Sequence, residues 1–416
     1  MFTSSSVKTY PLMRMAFVSY EYPPDTGKGG IGTYLHQLIQ ALQPNGWDVH
    51  LFVASHYRQG ISTEYNATIH RVQCKDVQDF RAAVVPVFAA EHLQQPFMVI
   101  ESAEINANAW EIKKQFPALP MVVRLHAPGH LVELLKKQYI PFWAKLRFVL
   151  GALRRGRLDA GYWRTYNKYT DEDYQFTRLA DSFTAPSAAM QQWAVAHWGI
   201  QQREIAVIPN VFIPPAALLQ IPIQQHTANP VVVFFGRLNP LKGLVNATLA
   251  IKQLLQQQPH CRFVVVGDDG NGPYAGTSMR SWMQQVLQPV LDKVSFRDGV
   301  PYEDLPGILN EATVVLLPSL FESYSYACAE AMAAGKAIVG SNTGGMEDLL
   351  QDGQSGLLVN PHSVPAIFNA LQQLVTQQEL RYRLAVAARQ RIVSTQFGIG
   401  LTDQYTQLYN RLVAGA

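Results

Sequence analysis

Charge is scarce in this sequence: 16% of its 416 residues are Asp, Glu, Lys or Arg, against about a quarter in an ordinary soluble domain. The net balance is only +3, too small to argue for a nucleic-acid partner. Cysteine is rarer still. Cys74, Cys261 and Cys328 lie far apart and form neither a CxxC pair nor any other metal spacing. Reduced thiols in a cytoplasmic protein are the simplest account of them. Long apolar runs are also missing. No uninterrupted run reaches the roughly 18 residues of a membrane span, and residues 1–14 lack the apolar core of a signal peptide. They read as a loose leader before a first strand at 15–19.

What remains is a chain with 48% apolar residues, long enough to bury the cores of two domains. Short β-rich runs at 15–19, 49–54, 97–102, 121–126, 182–187, 205–210, 231–236, 262–267, 313–318 and 337–341 alternate with helical patterns such as 33–42 and 245–258. Many of the β runs are continuously apolar, as parallel strands covered on both faces must be. Alternation on this scale predicts an α/β protein with doubly wound sheets. The pattern breaks in a Pro-, Gln- and Ala-rich stretch. The expected division is therefore a domain at 1–212, a linker at 213–229, a second domain at 230–395 and a final helical segment at 396–416.

Residues 318–345 carry the densest chemistry. Glu322 and Glu330 stand eight positions apart, ahead of a run of small residues and the Gly344-Gly345 turn. A helix beginning just after Phe321 would put Glu322 in its first turn and Glu330 about two turns up. Its free N–H groups and positive dipole favour an anion, so a carboxylate there is placed to read sugar hydroxyls next to a diphosphate. Arg237, just past a strand end, and Lys242, before the next helix, would offset that diphosphate's charge in the crevice where open α/β sheets bind ligands.

Gly27, Gly29 and Gly32 spell GxGxxG, yet seven residues separate them from the first strand and no acid closes the second. Both departures count against a nicotinamide site. The loop Lys28-Gly29-Gly30 still offers bare N–H groups to a phosphate. Asp171-Glu172-Asp173 spells the Asp-x-Asp of metal-dependent sugar transfer, but no apolar strand precedes it. A solvated helix start capped by Thr170 is the reading adopted. His126 and His130 are separated by Pro128, which rules out a zinc pair on one helical face. No required metal is expected.

These motifs resemble the signature of the retaining glycosyltransferases of group 1, the family 4-like enzymes with the GT-B fold. Pro318-Ser319, Glu322, Glu330-Ala331-Met332-Ala333 and Gly344-Gly345 match its C-terminal pattern, and FFGRLNPLKG at 234–243 matches its strand, Gly-Arg-Leu and Lys-Gly. Residues 263–274, 294–309 and 15–42 fall where further strand–loop units belong. The resemblance implies two Rossmann-like domains with a cleft between them. It implies transfer of a hexose-type sugar from a UDP- or GDP-sugar to an acceptor hydroxyl, with no cofactor. It assigns Glu322 to the donor sugar, Glu330 to the ribose and the backbone near Ser323, Tyr324 and Ser325 to sugar or phosphate. Gly29 and Gly30 would close over the diphosphate, and His126 would lie close to the reacting sugar. Catalytic weight falls on His126, Arg237, Lys242 and Glu322, and the final helix is expected to cross back to the first domain.

Tyr324-Ser325 stands where the family has Phe-Gly, Lys336-Ala337 where x-Pro is usual, and Met346-Glu347-Asp348 where x-Pro-Glu is usual. Two other readings stay open, a GT-B epimerase turning over the donor alone and a non-catalytic nucleotide-sugar-binding protein. The least family-like segment, 131–170, carries nine Lys/Arg against Glu133 and Asp159, with aromatics interleaved. It suits peripheral contact with an anionic membrane or a lipid-linked acceptor, and equally a pair of helices with solvated cations. No nucleic-acid module accompanies it.

Overall fold

The computed structural model describes residues 13–27, 29–42, 46–138, 142–159, 166–224, 226–274, 276–394 and 399–415. The leader up to residue 12, Lys28 of the glycine loop, and 139–141 and 160–165 of the basic segment lie outside the described residues.

The first sheet is built from β1 (Arg14–Ser19), β2 (Asp48–Ser55), β3 (Gly60–Glu64), β4 (Ala67–Gln73), β5 (Val99–Ala103), β6 (Met121–Arg124), β7 (Ser182–Ala185) and β8 (Ile205–Val207). Their order is β3-β4-β2-β1-β5-β6-β7-β8, and only the edge strand β3 runs antiparallel. The second sheet contains β9 (Val231–Phe235), β10 (Arg262–Val266), β11 (Val294–Arg297), β12 (Val314–Leu317), β13 (Ala337–Ser341) and β14 (Leu357–Val359). It is wholly parallel, in the order β11-β10-β9-β12-β13-β14. The central strands are buried along their whole length, which explains their unbroken apolar runs.

The β3–β4 hairpin is absent from the sequence reading because its outer strand is exposed throughout apart from Glu64 and so shows no apolar signal. Its two-residue turn, Tyr65-Asn66, has both residues at positive φ (48° and 62°), the geometry that matches a hairpin's twist.

Each sheet reverses its winding direction once. In the first sheet this occurs between β1 and β5, in the second between β9 and β12. Ligands bind at such switch points, outside the carboxyl ends of the strands. The segments following β1, β9 and β12 are those that carry Gly29, Arg237 and Glu322.

Several contacts tie the two sheets together. Residues 213–229 include a short helix, Ala216–Leu219, with Leu218 and Ile221 buried; Arg389 Nη2 donates to the Ile221 carbonyl at 2.6 Å. The last helix, Thr402–Gly415, buries Tyr405 and Tyr409 among Met15, Phe17, Tyr34 and Leu38 of the first sheet's core. Asp348 accepts a hydrogen bond from the Ala188 N–H at 2.9 Å, at the start of the helix Ala188–Trp198. A carboxylate from the second unit thus complements the positive end of a first-unit helix.

At the opposite, amino-terminal end of the first sheet, His50 Nδ1 and His70 Nε2 are 2.9 Å apart and both rings are buried. Burial and the neighbouring His50 push the His70 ring down to about 4; burial also lowers His50. Between roughly pH 6.5, the unfolded value, and 4, His70 binds more protons in the unfolded chain than in the folded one, so its contribution to stability is lost as pH falls through that window. Acidification from pH 7 to 5 is expected to lower the urea midpoint of the wild type relative to that of His70→Phe, which keeps the ring stacked on Phe52 (4.5 Å). An equal slope in both proteins would exclude this pair as the cause.

Candidate functional site

The loops after β9 and β12 are folded against each other, back to back. Asn239 accepts a hydrogen bond from the Lys242 N–H and caps the single turn Pro240–Lys242. Gly243 follows with φ 69°, and its α-carbon faces the Pro318 carbonyl so closely that a Cβ would be driven into that oxygen. The Leu320 N–H donates to the Leu241 carbonyl at 2.9 Å. This junction brings the Lys242 ammonium onto the Glu322 Oε1, which also accepts from Ser319 Oγ at 2.9 Å. Behind the carboxylate, the Gly345 N–H donates to the Glu322 carbonyl at 2.6 Å. Gly344 has φ 66° and lies against the same peptide, where a side chain has no room. The glycine doublet therefore fixes the backbone from which Glu322 projects.

The helix expected to begin after Phe321 starts instead at Tyr326 and runs Tyr326–Ala333. Ser325 is its N-cap, accepting from the Cys328 N–H at 3.3 Å. Glu322 stands in the loop before the helix, and Glu330 in its second turn. The serine wins because its hydroxyl can satisfy an N–H that would otherwise be orphaned. Tyr324 turns its ring into the core beside Tyr326, with centroids 5.0 Å apart. Its hydroxyl has no hydrogen-bond partner among the described residues, and burial raises its ionisation well above the usual range. Only the backbone of Tyr324 can serve the cleft. Ser323 is half-buried between Glu322 and Tyr324, its carbonyl packed on Gly345.

Glu330 is 8% exposed. Burial pushes its carboxyl up to about 8, with a hydrogen bond from Tyr302 pulling the other way. Tyr302 is 49% exposed and was missed from sequence, where 294–309 showed only a strand and loop. Arg237 is exposed just beyond β9.

On the facing side, Gly30 opens the helix Gly30–Leu42, and the Glu21 carboxylate lies against Gly29, where a side chain would have to push it aside. Burial raises the Glu21 carboxyl, and the positive charge of Arg237 partly offsets the rise. Glu21 is a second residue that the sequence did not single out. It bridges the fields of the two units.

His126 lies two residues beyond the end of β6. Its N–H is held by both oxygens of the buried Glu104, at 2.9 and 2.8 Å. Its ring packs edge-on to Tyr34 at 5.3 Å. Burial and Arg124 push the imidazole down to about 3, so it is neutral at physiological pH. Tyr34 is itself anchored: its hydroxyl donates to Glu101 Oε1 at 2.6 Å, and Tyr409 of the last helix donates to Oε2 at 2.5 Å.

Asp171 and Asp173 are occupied by local structure. Asp171, rather than Thr170, caps the helix Glu172–Thr177. Asp173 accepts from the N–H groups of Asn106 (3.1 Å) and Gly129 (3.0 Å), and burial pushes it up to about 6. Among the described residues, the one group of His and carboxylate side chains spaced for a metal is His50, His70 and Glu91, at the far end of the first sheet. Arg14 Nη2 sits between its members, 3.3 Å from His50 Nε2 and 3.1 Å from Glu91 Oε2. A guanidinium fills the place a cation would take.

Comparison with known proteins supports the two-part arrangement. Residues 220–391 match the family model for glycosyl transferases group 1, and residues 28–212 that for glycosyltransferase family 4. The glycogen synthase of Mycobacterium tuberculosis is 27% identical over 394 residues, covering 92% of this chain and 91% of that one. A D-inositol 3-phosphate glycosyltransferase of Streptomyces scabiei is 29% identical over 226 residues, about half of each chain (51% and 50%). Among solved structures, sucrose-phosphate synthase from Thermosynechococcus elongatus superposes with a TM-score of 0.74 at 21% identity, over 97% of this chain and all of that one (100%). Anabaena Alr3699/HepE in complex with UDP gives 0.65 at 18%, covering 96% and 100%. These structural likenesses establish the GT-B fold.

Proposed function

We propose that this chain, which belongs to the group 1 glycosyltransferases, transfers a hexose from a nucleoside-diphosphate sugar to an acceptor hydroxyl, with retention and without a required metal. The observation that carries this reading is the Lys242–Glu322–Ser319 constellation at the switch point between β9 and β12, with Arg237 on the same loop after β9.

Arg237 and Lys242 neutralise the diphosphate and support the charge that grows on it as the sugar departs, the task a divalent ion performs elsewhere. Glu322 orients Lys242 and accepts hydrogen bonds from sugar hydroxyls. The glycine loop at Gly29 and Gly30 and the amides at 323–325 offer N–H groups to the remaining phosphate and sugar oxygens. His126, neutral and held by Glu104 and Tyr34, presents an imidazole to the reacting centre without adding positive charge. Retention rests on the family resemblance. No side chain is assigned as nucleophile, and the acceptor attacks from the face the leaving diphosphate vacates. UDP- and GDP-sugars are the donor classes to test. A cytoplasmic setting suits the three buried thiols, which are free. The acceptor side is assigned to the segment after His126.

Turnover tests the reading directly. UDP and GDP release from the corresponding glucose and mannose donors should be detectable with one donor class, and excess chelator should not reduce it. Loss of turnover on chelation, restored by a divalent ion, would overturn the metal-free assignment.

Glu330 provides a second check. Its carboxyl holds a proton up to about pH 8 in the free protein, whereas accepting two ribose hydroxyls favours the ionised form. At Glu330 the folded state thus binds more protons than the unfolded one between about pH 4.5 and 8, and this residue costs stability increasingly as pH rises through that window. Nucleotide binding at pH 7 should release a proton, visible as calorimetric heats that differ between Tris and phosphate buffers. Glu330→Gln should abolish the difference. Identical heats in both buffers with the wild type would remove Glu330 from the ribose site.

A further inference from the structure

The helix Phe142–Arg154 presents its apolar side outwards. Trp143 is 73% exposed, Phe142 61%, Leu150 56% and Leu153 49%, while Ala152 is the one described residue of the helix that is buried. At 3.6 residues per turn, Phe142, Leu146, Leu150 and Leu153 line up along one stripe with Trp143 at its edge, an arc of roughly 120°. Arg147 and Arg154 border the stripe on the Trp143 side, and Lys145 borders it on the other. Arg155, Arg157 and the 96% exposed Leu158 continue the same combination past the helix end. This inverts the usual amphipathic helix of a globular protein, whose apolar stripe faces its own core.

We infer that this stripe is a docking surface for an anionic lipid bilayer, and that it brings the acceptor side of the cleft to the membrane. An apolar ridge rimmed by long basic side chains is what an interfacial helix needs: the ridge enters the acyl boundary while the cations reach the headgroups. Charge complementarity selects the occupant. The described part of this segment, 142–159, carries Lys145, Arg147, Arg154, Arg155 and Arg157 against Asp159 alone. A nucleic acid would require the cations, rather than the apolar ridge, on the crest of the helix. No described helix is long and apolar enough to cross a membrane, so this one is assigned to the surface of a bilayer.

Position gives the surface its use. The helix Gly129–Lys137 begins three residues after His126 and packs against the 240–242 turn that carries Lys242. The outward stripe follows it in the chain. Docking there would hold the segment that follows His126, to which the acceptor side is assigned, at the bilayer, where an acceptor with a lipid anchor would be met. This inference rests on the glycosyltransferase reading for its purpose, but the docking itself does not.

The test is co-sedimentation of the full chain with vesicles of phosphatidylcholine alone or with about one-third phosphatidylglycerol, a composition that makes each added cation count. Binding is expected to the anionic vesicles only. Trp143→Ala/Leu150→Ala should lower the partition coefficient at least about tenfold, as loss of buried apolar area predicts. Arg147→Glu/Arg154→Glu should abolish binding. Both variants should keep the wild-type melting temperature and nucleotide affinity, which separates failure of docking from failure of the enzyme reading. No vesicle binding by the wild type, or binding unchanged in both variants, would overturn the inference. So would a preference for single-stranded RNA over vesicles in a competition experiment.

Discussion

Lys242→Ala is expected to lower kcat by about 10²–10³-fold, the usual consequence of removing one preorganised donor from developing charge. The size follows from its position. Its side chain is 29% exposed and bound to Glu322, itself 19% exposed, so the pair is partly shielded from water and its field reaches the cleft with little screening. Alanine removes the cation that faces the leaving group and leaves the Glu322 carboxylate with Ser319 as its remaining side-chain partner. A bare carboxylate next to a diphosphate is worse than a missing contact, because like charges repel in the state that must be stabilised. Arg237 still anchors the nucleotide, so affinity should fall much less than turnover. Lys242→Arg should recover little, since a broad guanidinium cannot take the ammonium's place against Ser319 and Glu322. Steady-state rates beside a separately measured nucleotide dissociation constant decide it. A kcat within about threefold of wild type would mean that Lys242 is an ordinary surface cation.

Gly243→Ala should be the most damaging single methyl group that can be added near the site. Two costs combine. A φ of 69° is the left-handed region, where a Cβ costs about 1–2 kcal/mol, and here that Cβ points into the Pro318 carbonyl. The loops after β9 and β12 would have to separate, for a total of about 2–4 kcal/mol. In a chain of this size that is a fall in melting temperature of about 2–5 °C. Separation of the loops also pulls Lys242 from Glu322, so activity should fall more than the stability loss explains. Gly353 provides the control. It has the same φ of 69° with nothing within 4 Å of its missing Cβ. Gly353→Ala should therefore cost only the conformational part, about 1 kcal/mol, with turnover intact. If the two variants melt together and turn over alike, the contact with Pro318 does not organise the site.

The parts of this architecture that could be read from the sequence are those in which a local rule and the tertiary structure agree. Buried parallel strands such as 231–235 and 314–317 must be apolar on both faces, and they are. The loops holding Lys242 and Glu322 were brought together through their family-like motifs, and glycines 243, 344 and 345 are the close backbone approaches that hold them there. Where neighbours compete, the sequence reading chose the wrong one. It opened the helix just after Phe321, whereas the capping bond from Ser325 to the Cys328 N–H sets the start at Tyr326. It took Thr170 as the cap of the helix Glu172–Thr177, a place that Asp171 fills. Tyr324 was assigned to the pocket with its neighbours, but its ring is drawn into the core beside Tyr326. Partnerships between distant segments left no signal at all. Glu21 faces Arg237 across 216 positions of chain, Tyr302 meets Glu330 from another loop, and Asp348 caps a helix of the other unit. Each is a single polar residue with no period or spacing to announce it.

Nucleotide binding is the measurement that reaches the central claim most directly. Thermal shift with UDP, GDP and ADP, with and without chelator, should show one nucleotide class raising the melting temperature, since a ligand at about 100 times its dissociation constant adds about 2.7 kcal/mol. The shift should survive chelation and disappear in Arg237→Ala/Lys242→Ala. A shift that persists in the double variant would place the nucleotide elsewhere, and no shift from any of the three would contradict a donor site between β9 and β12.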